Sequence, residues 1–165
     1  MSAAPCIPRN YGSGVAVPGS DDPRITAFGL LHEAHRAVLS AVSADLAGAT
    51  DVPTAEFEVL IRLSRSPGQR LRLTELAHQV RLSTSGLSRL VDRVEAAGLV
   101  RREACPSDRR GSFAVLTDKG EAALGEALPP HLESLERHVV APLGRDDLAT
   151  LEGLLRRLRD SAEGP

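Results

Sequence analysis

The chain has 165 residues, 42% of them hydrophobic, and a formal net charge of −2 at pH 7. That length suits one domain with a core of its own. Three Phe, one Tyr and no Trp leave Leu, Val and Ala to fill it, which favours packed helices over a large sheet. Two cysteines, Cys6 and Cys105, exclude a disulfide framework. No apolar run suggests a membrane span or a secretory leader, so the expectation is a soluble cytoplasmic protein.

Residues 1–23 carry "APCIPRNYGSGVAVPGSDDP", rich in Pro, Gly and Ser without periodicity, and read as a disordered tail. From Arg24 to Gly48, Ile25, Phe28, Leu31, Val38, Val42 and Leu46 recur at helical spacing. A second helix opens at Thr54, read as its N-cap, with Phe57, Leu60, Ile61 and Leu63 inward, and ends before Pro67-Gly68. Arg70 to Leu73 suits a short strand, and Thr74 opens a short helix with Leu76, Ala77 and Val80 inward. In "LSTSGLSRLVDRVEAAG", Ser83 is the expected N-cap of the next helix and Gly98 its left-handed stop. Leu87, Leu90, Val91 and Val94 make its buried stripe.

Leu99 to Ala104 reads as a strand, Cys105 to Gly111 as a polar loop and Ser112 to Leu116 as the returning strand. Thr117 should cap a long helix to about Val140, kinked at Pro129-Pro130. A last amphipathic helix carries Leu148, Leu151, Leu154, Leu155 and Leu158 on one side. The fold class expected is mainly α with a small β wing. Two consecutive short helices followed by a hairpin make a winged helix-turn-helix core, flanked by N- and C-terminal helices.

Charge supports a polyanionic partner. From Arg62 to Ser112 there are 11 Arg against 5 acidic residues, while the rest of the chain is acidic on balance. A recognition helix that enters the major groove by its N-terminus must be thin there. Ser83, Thr84, Ser85 and Gly86 supply small side chains and hydroxyls, and Ser88 follows on the polar side. Gly inside a helix costs about 1 kcal/mol relative to Ala, which a close approach to DNA would justify at Gly86. Arg89 and Arg93 lie one turn apart on the exposed face, the first suited to a base or phosphate and the second to a phosphate. In "SDRRG", Asp108, Arg109 and Arg110 put two guanidinium groups near a hairpin tip, where the focused potential of an A·T-rich minor groove favours a long cation.

The stretch "LTELAHQVRLSTSGLSRLVDRVEAAGLVRREACPSDRRGSFAVLTDKG" resembles the MarR family of bacterial transcription regulators. The shared features are the LTELA helix opening, the SRLVDRVEAAGLV passage from helix to strand, and a D-x-R wing closing with LTDKG. The resemblance implies a single domain over residues 24–160, with a DNA-binding lobe at 54–117 and dimerisation helices at 24–48 and 118–160. It implies a cytoplasmic homodimer on pseudopalindromic double-stranded DNA, acting as a repressor that a small aromatic or phenolic effector releases. It also makes Arg110 the minor-groove reader, Asp108 its holder and Arg109 a phosphate contact. A ligand pocket would draw on His32, His35, Arg36, Phe57 and Arg62.

Two other readings compete: a winged-helix module that binds protein, and a redox-responsive regulator acting through Cys105. The first helix has no Cys such as peroxide-sensing relatives carry, and the chain lacks the Trp of urate-sensing ones. His32 with His35, and His131 with His138, do not match a zinc-sensing spacing, so no metal and no cofactor are expected. No nucleophile–base pair and no phosphate-binding Gly-rich loop points to an enzyme.

Overall fold

A computed structural model describes residues 19–105 and 108–163; the side chains of residues 108–110 and 163 are outside the description. The supposed tail therefore lies mostly outside the described residues, as does Cys6. The chain divides into two compact units, residues 1–37 and 38–165.

The element order is α1 (Pro23–Ala49), α2 (Thr54–Ser64), β1 (Arg70–Arg72), α3 (Leu73–Gln79), α4 (Thr84–Ala96), β2 (Val100–Cys105), β3 (Asp108–Leu116), α5 (Asp118–Leu135) and α6 (Arg145–Glu163). A π-helical turn, Glu136–Val140, and a short helical turn, Ala141–Leu143, join α5 to α6. In the first unit, α1 presents Ile25, Phe28, Leu30 and Leu31 to solvent.

In the second unit the core gathers around α4. Its Leu87, Leu90, Val91 and Val94 are buried against Leu60 and Leu63 of α2, Leu76 of α3, Leu116 of β3 and Leu124 of α5. Burying each such side chain contributes about 1.5–3 kcal/mol, so this stripe anchors the helix whose other face stays in water. The antiparallel sheet has the order β1-β3-β2. Leu71 pairs with Ala114 and Val100 with Leu116. These four residues turn their side chains into the core, as the two-residue period of a strand requires.

Three local expectations are corrected. Thr54 is the first residue of α2 and not its cap; Pro53 holds the cap position with no side-chain hydrogen bond. Proline suits the site because a helix start has no use for its missing N–H. The segment read as a loop from Cys105 to Gly111 is largely strand: β2 reaches Cys105 and β3 begins at Asp108. A register irregularity at Ala104/Cys105 lets Cys105 pair with Asp108, a bulge that polar turn residues disguise in the sequence. The long helix passes through Pro129 and Pro130 as α5 and meets its irregularity later, in the π-helical turn.

Candidate nucleic-acid interface

The candidate reading head is α3, the turn Val80–Ser83 and α4. Arg81 takes a left-handed conformation, φ 55°, in that turn, and Leu82 N–H donates to Ala77 C=O at 3.0 Å. The reversal brings the α4 N-terminus to the surface. Ser83 caps it: Gly86 N–H donates to Ser83 Oγ at 3.2 Å, and Ser85 Oγ lies 3.3 Å from the same hydroxyl. A Cβ at Gly86 would stand 3.2 Å from Ser83 Oγ, so the glycine also keeps room for the cap.

Ser83, Thr84, Ser85, Ser88 and Arg89 are exposed and Gly86 is half-buried. They share the solvent face of one helix end, where unpaired N–H groups and the helix dipole favour an anion. Thr84 and Ser88 also line a pocket of about 390 Å³ with Arg72, Leu73, Thr74 and residues 111–112 of β3. The wing strand thus flanks the helix start. The Arg89 guanidinium has no hydrogen-bond or ion-pair partner among the described residues.

Arg93 is placed differently. Its Nε lies 3.5 Å from Glu56 Oε1 on α2, so a carboxylate already shares its charge. Asp92 is half of a clamp that the sequence did not disclose. Arg102 of β2 donates from Nη2 to Asp92 at 2.6 Å and from Nη1 to Glu95 at 2.5 Å. The Arg102 backbone N–H also donates to Glu95, at 2.9 Å. Partial burial lowers the Arg102 pKa, but the two carboxylates outweigh it and leave it raised. The clamp ties the polar side of α4 to the wing. Asp108, Arg109 and Arg110 have their backbone in β3, and their side chains lie outside the described residues.

Of the residues expected to form a ligand pocket, His32, His35 and Arg36 belong to the first unit and Phe57 and Arg62 to the second. His32 and His35 line an open apolar pocket of about 260 Å³ with Phe28 and Leu31. Arg62 pairs with Glu58 at 3.4 Å and lines a polar cleft with His78, Gln79, Arg81, Arg159 and Asp160. Arg36 lines neither. Phe57 is a core residue; its ring lies against that of His131, tilted by 44° with 4.4 Å between centroids, and burial lowers the pKa of that histidine. Cys105 is buried, with Arg72 Nη2 at 3.3 Å from its Sγ. Among the described residues no group of three or more His, Cys, Asp or Glu side chains is gathered to hold a metal ion. No described helix is long and apolar enough to cross a membrane.

A family model described as the MarR family matches residues 50–111. AbsC, a MarR family transcriptional regulator from Streptomyces coelicolor, superposes with a TM-score of 0.77 at 35% identity, over 87% of this chain and 97% of that one. The chain belongs to the MarR family. Sco3205, a MarR family transcriptional regulator from the same organism solved in complex with DNA, gives a TM-score of 0.76 at 32% identity, covering 85% of this chain and 88% of that one. The HTH-type transcriptional regulator PecS of Dickeya dadantii (strain 3937) is 30% identical over 104 residues. That match spans 62% of each chain, less than two thirds of the relative. As a MarR family member the chain is a DNA-binding transcriptional regulator of winged-helix fold, and the family is not one of enzymes.

Proposed function

We propose that this MarR family chain is a dimeric repressor that reads a pseudopalindromic operator and leaves it when a small aromatic anion binds. The observation that carries the reading is the exposed α4 start, Ser83 to Ser88, followed by an Arg89 with no partner among the described residues. In this reading Ser83, Thr84, Ser85, Gly86 and Ser88 approach base edges and phosphates in the major groove. Arg89 takes a base or a phosphate, and Arg93 reaches a phosphate in competition with Glu56. Arg110 enters the minor groove with Asp108 as its holder, and Arg109 meets the backbone. The DNA complex of Sco3205 supports the choice of duplex DNA over a protein partner.

Two apolar surfaces support a dimer. Phe28 on α1 is 73% exposed, and Leu154, Leu155 and Leu158 on α6 are also exposed. Apolar helix faces of this size call for a second copy. In this assignment residues 24–48 and 118–160 associate, while 54–117 carry the DNA contacts. The open pocket at Phe28, Leu31, His32 and His35 combines apolar walls with two imidazoles, a chemistry suited to an aromatic carboxylate or phenolate.

The test is selection of bound duplexes from a random DNA pool by the purified protein, with recovered duplexes retitrated at several salt concentrations. The expected result is a pseudopalindrome with half-sites about one helical turn apart and an affinity that falls steeply with salt. No enriched sequence and a flat salt response would overturn the reading in favour of a protein partner.

A further inference from the structure

We propose that Lys119, at the start of α5, is a positioning residue for DNA reading: it locks the C-terminal end of the recognition helix α4 to α5 and so sets the angle at which α4 is presented. The proposal rests on the dimeric operator reading above.

The α4 terminus closes in a Schellman motif. Gly98 N–H donates to Glu95 C=O at 2.8 Å, and Leu99 N–H donates to Val94 C=O at 2.9 Å, with Gly98 at φ 74°. Past Ala96, the carbonyls of Ala97 and Gly98 have no helical donor. Both are taken by α5. Lys119 Nζ donates to Ala97 C=O at 2.7 Å, and Thr117 Oγ1 donates to Gly98 C=O at 2.7 Å. Thr117 N–H adds a bond to Leu99 C=O at 3.2 Å. The same Thr117 hydroxyl accepts from Gly120 N–H at 3.0 Å, so it caps α5 while it holds the end of α4.

The residue type fits the task. Lys119 is the one lysine in a chain whose other basic residues are all Arg. An ammonium is a compact point charge that can meet a single carbonyl end-on, whereas a guanidinium is a broad planar fork. A cation at a helix C-terminus is also favoured by the dipole. At its far end α5 is fixed as well: Ser134 Oγ donates to Asp45 Oδ2 at 2.7 Å, and Arg137 Nη1 donates to the same oxygen at 3.0 Å. A rod held at both ends transmits the position of its first turn to the helix it grips. Asp92 and Glu95 hold α4 to the wing through Arg102, while Thr117 and Lys119 hold its end to the start of α5.

The experiment uses full-length protein, the operator recovered by the selection above, copies of it with half-site spacing changed by one base pair, and random DNA. Lys119→Met should weaken binding to the recovered operator by about tenfold, a factor equivalent to about 1.4 kcal/mol. It should narrow the preference for the native spacing over the shifted ones. Affinity for random DNA and the slope of log affinity against log salt should stay as in the parent. Lys119→Arg, which keeps a charged donor but in a planar fork that fits a single carbonyl less well, should recover only part of the loss, and Lys119→Gln should fall between Lys119→Arg and Lys119→Met. Equal operator affinity in Lys119→Met and parent would overturn the proposal. A salt slope smaller by about one would make Lys119 a phosphate contact instead. A loss shared equally by operator, shifted operators and random DNA would mean general destabilisation and would equally overturn it. Should Lys119→Met not fold, Lys119→Gln carries the same comparisons. If the parent enriches no operator, the repressor reading itself fails; if the parent enriches one and the variants match it, only the positioning role fails.

Discussion

Replacing Gly120 by Ala should be among the most damaging single changes available to this chain. An added Cβ would sit inside the Leu99 carbonyl oxygen, 2.8 Å from Leu116 Cδ1 and 3.0 Å from the Leu99 carbonyl carbon. Real Cβ contacts essentially never come so close, and two of these three atoms belong to backbone. The backbone cannot rotate away as a side-chain tip can, so α5 must slide off the β2 start. That movement would strain Thr117 N–H to Leu99 C=O and Thr117 Oγ1 to Gly98 C=O, at 3.2 and 2.7 Å. Overpacking costs about 1–3 kcal/mol, and weakening one hydrogen bond adds about 1 kcal/mol. A total of about 3 kcal/mol corresponds to roughly 6–12 °C in Tm for a domain of this size. The assay is thermal and urea unfolding at matched protein concentration, since a dimer's stability depends on concentration. A midpoint within about 1 °C of the parent, with operator affinity unchanged, would refute the reasoning, because it would mean α5 does not need this close approach to the Leu99 backbone.

Arg89→Ala should lose more affinity for the selected operator than for random DNA, by a further factor of roughly ten if the guanidinium reads a base edge; equal losses in a fixed-salt titration would make it a phosphate contact only. Removing the chain from Pro142 onward should abolish the dimer, read by analytical ultracentrifugation, because Leu154, Leu155 and Leu158 leave with α6; a dimer that survives would place the interface elsewhere. Asp45→Asn should destabilise the protein in a pH-dependent way. The Ser134 hydroxyl above all, with His138 and Arg137 adding to it, holds the Asp45 carboxyl below its ordinary 3.8 against partial burial. Its folded pKa is depressed, so its contribution is fully present above the unfolded value and is lost as pH falls through the folded one. The stability gap between parent and variant in urea unfolding should therefore hold steady near neutrality and close below about pH 4; a gap independent of pH would remove Asp45 ionisation from the account.

Much of the fold was legible in the sequence because it rests on local signals. The stripe Leu87, Leu90, Val91 and Val94 repeats with the helical period, and all four are buried. Ser83 precedes its helix as a capping hydroxyl should, and Gly98 takes the left-handed stop expected of it. The small, polar α4 start and the excess of arginine around it could likewise be seen without coordinates, and they led to the family through its motif.

What the tertiary structure alone decided are pairings between residues distant in sequence. Glu56 beside Arg93, Arg102 between Asp92 and Glu95, and Asp45 under Ser134 carry no periodic signal. An isolated charge in a sequence looks the same whether solvent or a partner surrounds it. The inward stripe of α2 already marked Phe57 as a core residue, but its contact with the His131 ring followed only from how α2 packs on α5. Lys119 and Gly120 make the same point at the junction that matters most here. Their residue types were visible as part of LTDKG, but the carbonyls of Ala97 and Leu99 that give them meaning come from a helix end and a strand start that only folding brings to α5. Local propensity wrote the elements; the non-local satisfaction of backbone and charge settled how they are held.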